Sequence, residues 1–149
     1  MSGAGPIGGP VARECVEAYV FVADPLELLI VRRPPHRQGG AWTVVAGGIE
    51  PTDADREAAV RRELREETGF DEPARITPLD WHLVFRAENG ETWRLHAYAV
   101  EVPRRFPPTL SDEHDGYAWV TPEEAIRRLR FPDNHEVVRR LVGRLGATP

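Results

Sequence analysis

The chain has 149 residues, is 41% hydrophobic and 29% charged, and carries a formal net charge of -5, which bounds it to one globular domain that buries roughly 70% of its unfolded surface. No apolar run approaches the ~20 residues that span a bilayer, and the acidic balance excludes a broad electrostatic grip on duplex nucleic acid. All 19 basic residues are arginine, so P-loop lysines, Schiff-base catalysis and serine–lysine hydrolysis are excluded too.

The opening MSGAGPIGGP has no positive n-region and no apolar h-region, so residues 1–12 are expected to form a flexible arm rather than a signal peptide, with a cytoplasmic location. Residues 13–149 then make the single domain. ECVEAYVFVA (14–23) reads as a strand that Asp24-Pro25 turns into a second, LELLIVRR. Cys15, the lone cysteine, lies in the first of these and reads as a buried structural thiol. After the loop PPHRQGG comes a short apolar strand, WTVV (42–45), which Gly47-Gly48 is expected to break, and then the polar loop IEPTD.

From about Asp55 to Thr68 the pattern is helical, with Asp53 or Asp55 available as N-cap and Gly69 suited to the left-handed residue beyond the C-terminus. ITPLDWHLVFRA and TWRLHAYAVEV flank AENGE, whose Asn89-Gly90 predicts a hairpin of two long antiparallel strands. PRRFPPTLSDEHD is a loop, GYAWV a short strand, and TPEEAIRRL a helix capped by Thr121 with Pro122 at its first position. A last helix covers about 133–145. This order predicts an α+β fold, with helices packed on a mixed, largely antiparallel sheet.

RRELREETGF (61–70) places Glu63, Glu66 and Glu67 within an arc of about 100° on one helix face. Like-charge pairs at this spacing cost roughly 0.2–0.5 kcal/mol each, and acids in the last turns oppose the helix dipole. A solvated face neutralised by Arg61, Arg62 and Arg65 is one reading. A divalent cation is the other, because clustered carboxylates are what a hard ion such as Mg²⁺ requires, and Arg62, one turn before Glu66, is placed to orient them.

GGIEPTDADREAAVRRELREETGF (47–70) resembles the signature of the Nudix hydrolases, G-x5-E-x7-R-E-U-x-E-E-x-G-U, with Arg62 to Phe70 matching without a gap. The resemblance implies a Nudix fold, an α-β-α sandwich, in which Glu63, Glu66 and Glu67 bind catalytic Mg²⁺ or Mn²⁺ and Arg62 orients them. In the N-terminal half the match is looser. Aligning Gly47 and Asp53 with the family's glycine and structural glutamate leaves one extra residue before Arg62. The same alignment puts Ala46 where a glycine carbonyl often ligates metal.

The family often adds a distal acid. SDEHDGYAWV offers Asp112, Glu113 and Asp115, and the pattern made by Glu113, His114, Tyr117 and Trp119 resembles two groups, the dihydroneopterin triphosphate or dATP pyrophosphohydrolases and the diadenosine tetraphosphate hydrolases. Glu113 is therefore expected as metal ligand or general base, sharing the base role with Glu66. Arg32, Arg33, His36 and Arg37 are placed to hold a distal phosphate, Trp81, Phe85, Trp93 and Tyr98 to stack on a base, and Glu50 to contact substrate. The implied reaction is metal-assisted hydrolysis of a (d)NTP or dihydroneopterin triphosphate to a monophosphate and pyrophosphate. Diadenosine tetraphosphate or ADP-ribose hydrolysis is the alternative, and a silent nucleotide-sensing domain a remote one. The expected partner is a small nucleotide, without membrane or duplex nucleic acid, and a homodimer is compatible with the class.

Overall fold

The computed structural model describes residues 10–146; the greater part of the expected N-terminal arm, residues 1–9, lies outside them. Seven strands form one sheet, β1 (Arg13–Ala23), β2 (Leu26–Arg32), β3 (Trp42–Thr43), β4 (Val45–Gly48), β5 (Arg75–Arg86), β6 (Thr92–Glu101) and β7 (Gly116–Val120). Three helices join them, α1 (Arg56–Thr68), α2 (Pro122–Arg128) and α3 (Pro132–Arg144).

β1 is the central strand. On one side its outer half pairs antiparallel with β2 and its inner half with β4, through Cys15–Gly48, Val16–Gly47, Glu17–Ala46 and Ala18–Val45. On its other side it runs parallel to β6, the one parallel pairing among the described strands, and β6 pairs antiparallel with β5. The sheet is thus mixed and largely antiparallel, as expected.

The period of β1 sends alternate residues to opposite faces. Val16, Ala18, Val20 and Val22 join Val45, Ala59, Val60 and Leu64 in a core beneath α1. Tyr19 and Phe21 join Leu28, Ile30, Val137, Val138 and Leu141 in a second core beneath α2 and α3. Helices therefore cover both faces, which is the α-β-α sandwich.

Two expectations change. The expected strand WTVV is broken earlier, at Val44, into β3 paired with β2 and β4 paired with β1, and Gly47 and Gly48 lie inside β4, since a missing side chain does not prevent ladder pairing. β5 is also not regular, since its register with β6 shifts between Pro78 and His82, and Asp80 takes a left-handed φ of 52°. That bulge puts Trp81 against the core under α3.

Candidate active site

The platform begins with how α1 is seated. Asp55, rather than Asp53, is the N-cap, accepting from the Ala58 amide at 2.8 Å, and Gly69 ends the helix at φ 76° with its N–H on the Arg65 carbonyl. Ala59, Val60 and Leu64 face the core. This orientation divides the three glutamates that spacing alone puts together: Glu63 and Glu67 are buried at the helix–sheet edge, while the Glu66 side chain is 55% exposed.

Gly47 makes room for this. A Cβ there would fall on the Glu63 carboxylate as it lies, so any larger residue would have to displace that acid. Arg62 ties the pieces together. Its Nε and Nη2 donate to the two Asp53 oxygens at 3.0 Å each, Nη2 also to the Gly48 carbonyl at 2.9 Å, and Nη1 to Glu63 at 2.9 Å and Glu66 at 3.1 Å. Its guanidinium pKa is raised, first by the Asp53 contact. Asp53 in turn accepts the Glu50 amide at 2.8 Å, and the Glu50 carboxylate stands 3.5 Å from Arg62. Asp53 thus joins the Glu50 turn to Arg62.

Glu67 is held as a neutral acid in this state. Burial, then the adjacent Glu63 carboxyl and the charge of Glu113, push it up to about 9. His114 Nδ1 lies 3.2 Å from Glu67 Oε1. Burial, then Arg33 and Arg37, push that imidazole down to about 4, so at neutral pH the contact joins two uncharged groups and is no ion pair. Glu113, one residue earlier, points outward, 49% exposed, with Arg33 at 3.8 Å and Arg37 at 3.9 Å.

Among the described residues no three acidic, imidazole or thiol groups stand together tightly enough to grip an ion as they lie. Arg62 draws Glu63 and Glu66, and Arg33 and Arg37 draw Glu113. The donor set nevertheless fits a hard divalent cation. Glu63 and Glu67 are adjoining buried carboxyls, and Glu67 Oε1 is buried without a hydrogen-bond partner.

The remaining expected residues scatter. Arg32 is engaged elsewhere, with Nε donating to Asp115 at 2.9 Å and its guanidinium over the Trp42 ring. Trp81 lines a cavity of about 350 Å³ with Arg56, His82, Arg94, His96 and Tyr98. Tyr98 is buried in the α1 core, and Phe85 meets Trp93 edge-on at 6.0 Å. Ala46 sits on β4 opposite Glu17.

That opposite residue belongs to a cluster which sequence reading missed. Tyr19 Oη donates to Glu17 at 2.9 Å, and Asn134 Nδ2, from α3, donates to Tyr19 at 2.8 Å and Glu17 at 3.3 Å. Burial lifts the Glu17 carboxyl to about 7. A glutamate amid the apolar run of β1 was the available signal.

The NUDIX domain family model matches residues 14–141. The chain is 37% identical over 116 residues to an octanoyltransferase of Myxococcus xanthus, a match covering 76% of the chain but only 31% of that protein. It is 30% identical over 135 residues to the CTP pyrophosphohydrolase of Escherichia coli K12, covering 90% of the chain and 95% of that protein. The solved binary complex of the C. elegans Ap4A hydrolase superposes with a TM-score of 0.76 at 19% identity, covering 92% of the chain and all of that structure, and at this identity speaks for the fold alone.

Proposed function

The chain belongs to the NUDIX family, and from that premise we propose that it is a Mg²⁺- or Mn²⁺-dependent pyrophosphohydrolase of nucleoside triphosphates or closely related triphosphates. The observation that carries the reading is the buried Glu63–Glu67 pair set against Gly47 and braced by Arg62. Similarity over nearly the whole length of the CTP pyrophosphohydrolase supports a triphosphate substrate. Acyl transfer is not carried over from a protein of which the chain spans 31%. Cys15, a buried thiol that burial pushes up, also offers no nucleophile for it.

Glu63, Glu66, Glu67 and Glu113 would hold the cation, with the Ala46 carbonyl as a backbone candidate on β4. Bound there, it would neutralise phosphate charge and acidify water. The chain's own groups do the rest. Arg33 and Arg37 flank Glu113 and hold the phosphate chain in line. Arg62 keeps Glu63 fixed through its contacts to Asp53 and Gly48. Glu113 or Glu66, the two exposed acids, takes the proton of the attacking water as a P–O bond forms; the bridging P–O bond breaks and pyrophosphate leaves.

The test is a phosphate-release screen run with Mg²⁺ and then Mn²⁺, coupled to pyrophosphatase for CTP, dATP and dihydroneopterin triphosphate and to alkaline phosphatase for diadenosine tetraphosphate and ADP-ribose, with the nucleotide products separated by chromatography. Metal-dependent pyrophosphate release that Glu66→Gln abolishes, with an unchanged melting curve, is expected. ATP plus AMP from the dinucleotide as the preferred reaction would overturn the triphosphate reading. Glu66→Gln activity within a few-fold of wild type would overturn the metal platform.

A further inference from the structure

We propose that His114 is the positioning residue of the acidic platform, its ring N–H turning onto Glu67 Oε1 when the other Glu67 oxygen takes the cation. This deepens the metal-platform reading and rests on it.

The contact between His114 and Glu67 is incomplete. The side chains of His114 and Glu67 are 1% and 3% exposed, and their facing atoms are 3.2 Å apart. Yet Glu67 Oε1 and both His114 ring nitrogens lack an aligned hydrogen bond among the described residues. Three polar atoms buried without partners at one contact are rare in a finished structure. A hydrogen bond from the ring N–H to Glu67 Oε1, already 3.2 Å away, would satisfy two of them at once. A carboxylate that ligates through one oxygen ordinarily needs a donor on the other, and partners of this kind hold a ligand in orientation.

The imidazole also stands on a fixed post. The His114 amide bonds the Ser111 carbonyl at 3.3 Å, and the Glu113 amide the Ser111 hydroxyl at 3.3 Å. The Asp115 amide bonds the Arg32 carbonyl at 2.9 Å, and the Asp115 carboxylate holds Arg32 Nε at 2.9 Å. The turn is therefore closed on Ser111 before His114 and latched to Arg32 of β2 just after it. One short segment presents Glu113 outward and the imidazole inward, so the ring also registers the distal acid against α1. A histidine that merely fills space would serve as well with a leucine in its place.

The experiment titrates Mn²⁺ by electron paramagnetic resonance, without nucleotide, into wild type, Glu67→Gln, His114→Leu, His114→Asn and the double variant H114L/E67Q. Melting curves in EDTA check folding. His114→Leu should weaken Mn²⁺ binding on the order of 10-fold or more, His114→Asn, which keeps an N–H, should stay near wild type, and adding His114→Leu to Glu67→Gln should change nothing further. Undiminished binding in His114→Leu, or equal loss in the Leu and Asn variants, overturns the proposal. If Glu67→Gln itself binds Mn²⁺ like wild type, the platform reading falls, and the proposal with it. Should the leucine variant not fold, wild type decides: saturating Mg²⁺ is expected to bring out a slowly exchanging His114 ring N–H in the NMR spectrum, and an unchanged ring signal overturns the assignment.

Discussion

Replacing Glu17 by glutamine should stabilise the protein at neutral pH and leave it unchanged in acid. Glu17 is fully enclosed, accepts from Tyr19 and Asn134, and has its carboxyl lifted to about 7 by burial, against 4.5 when unfolded. Below pH 4.5 both states hold the proton and the group contributes nothing. Between 4.5 and 7 the unfolded chain releases the proton while the folded chain keeps it, so stability falls as pH rises, by roughly 1.4 kcal/mol per unit. Above 7 both are ionised and the penalty stays constant, at roughly 3 kcal/mol in all. Glutamine keeps the shape without the charge. Its new N–H₂ can be met by Asn134 Oδ1, buried without a partner, if that amide turns over and gives up its Nδ2 bond to Tyr19, whose hydroxyl still donates to the side-chain oxygen at position 17. Urea denaturation in EDTA at half-unit steps from pH 4.5 to 7.5 measures the difference between the two proteins, in which titrations common to both, such as those of Glu67 and His114, cancel. A difference that grows by roughly 3 kcal/mol toward pH 7.5 is expected. A difference flat to within about 0.5 kcal/mol would refute the reasoning.

Two further outcomes follow from the seating of α1. Gly47→Ala puts a methyl group where the Glu63 carboxylate lies, so Mn²⁺ binding should weaken on the order of 10-fold with the fold retained; a titration indistinguishable from wild type would mean that Glu63 has room to spare. Leu64→Ala empties a site that is 3% exposed beneath the helix, and should cost about 2–5 kcal/mol in urea denaturation, whereas a loss under about 1 kcal/mol would show that the platform is seated by other contacts.

Legibility in the sequence divides by the range of the interaction. Asp55 and Gly69 bound α1, Thr121 caps α2 with Pro122 behind it, and Asn89-Gly90 turns the β5–β6 hairpin with Gly90 at φ 86°. Each of these signals acts within a few residues, so spacing and residue type sufficed. Arg62 was legible as a brace, but its main partner was not: the bidentate grip on Asp53, nine residues earlier, depends on how the loop folds back. The Glu17–Asn134 pair spans 117 residues and leaves no local pattern beyond one misplaced charge.

A helical period needs only neighbouring residues, so the acidic helix, its arginine and glycine punctuation and the family they resemble are all written in local order along the chain. The tertiary structure decided which acids are which. Packing of Ala59, Val60 and Leu64 rotates α1 so that Glu63 and Glu67 go inside while Glu66 stays in water. Register on β1 sets Gly47 against Glu63, and the loop before β7 brings His114 to Glu67 across the chain. Burial, which no spacing rule contains, is what turns three alike glutamates into a neutral acid, a braced carboxylate and an exposed one.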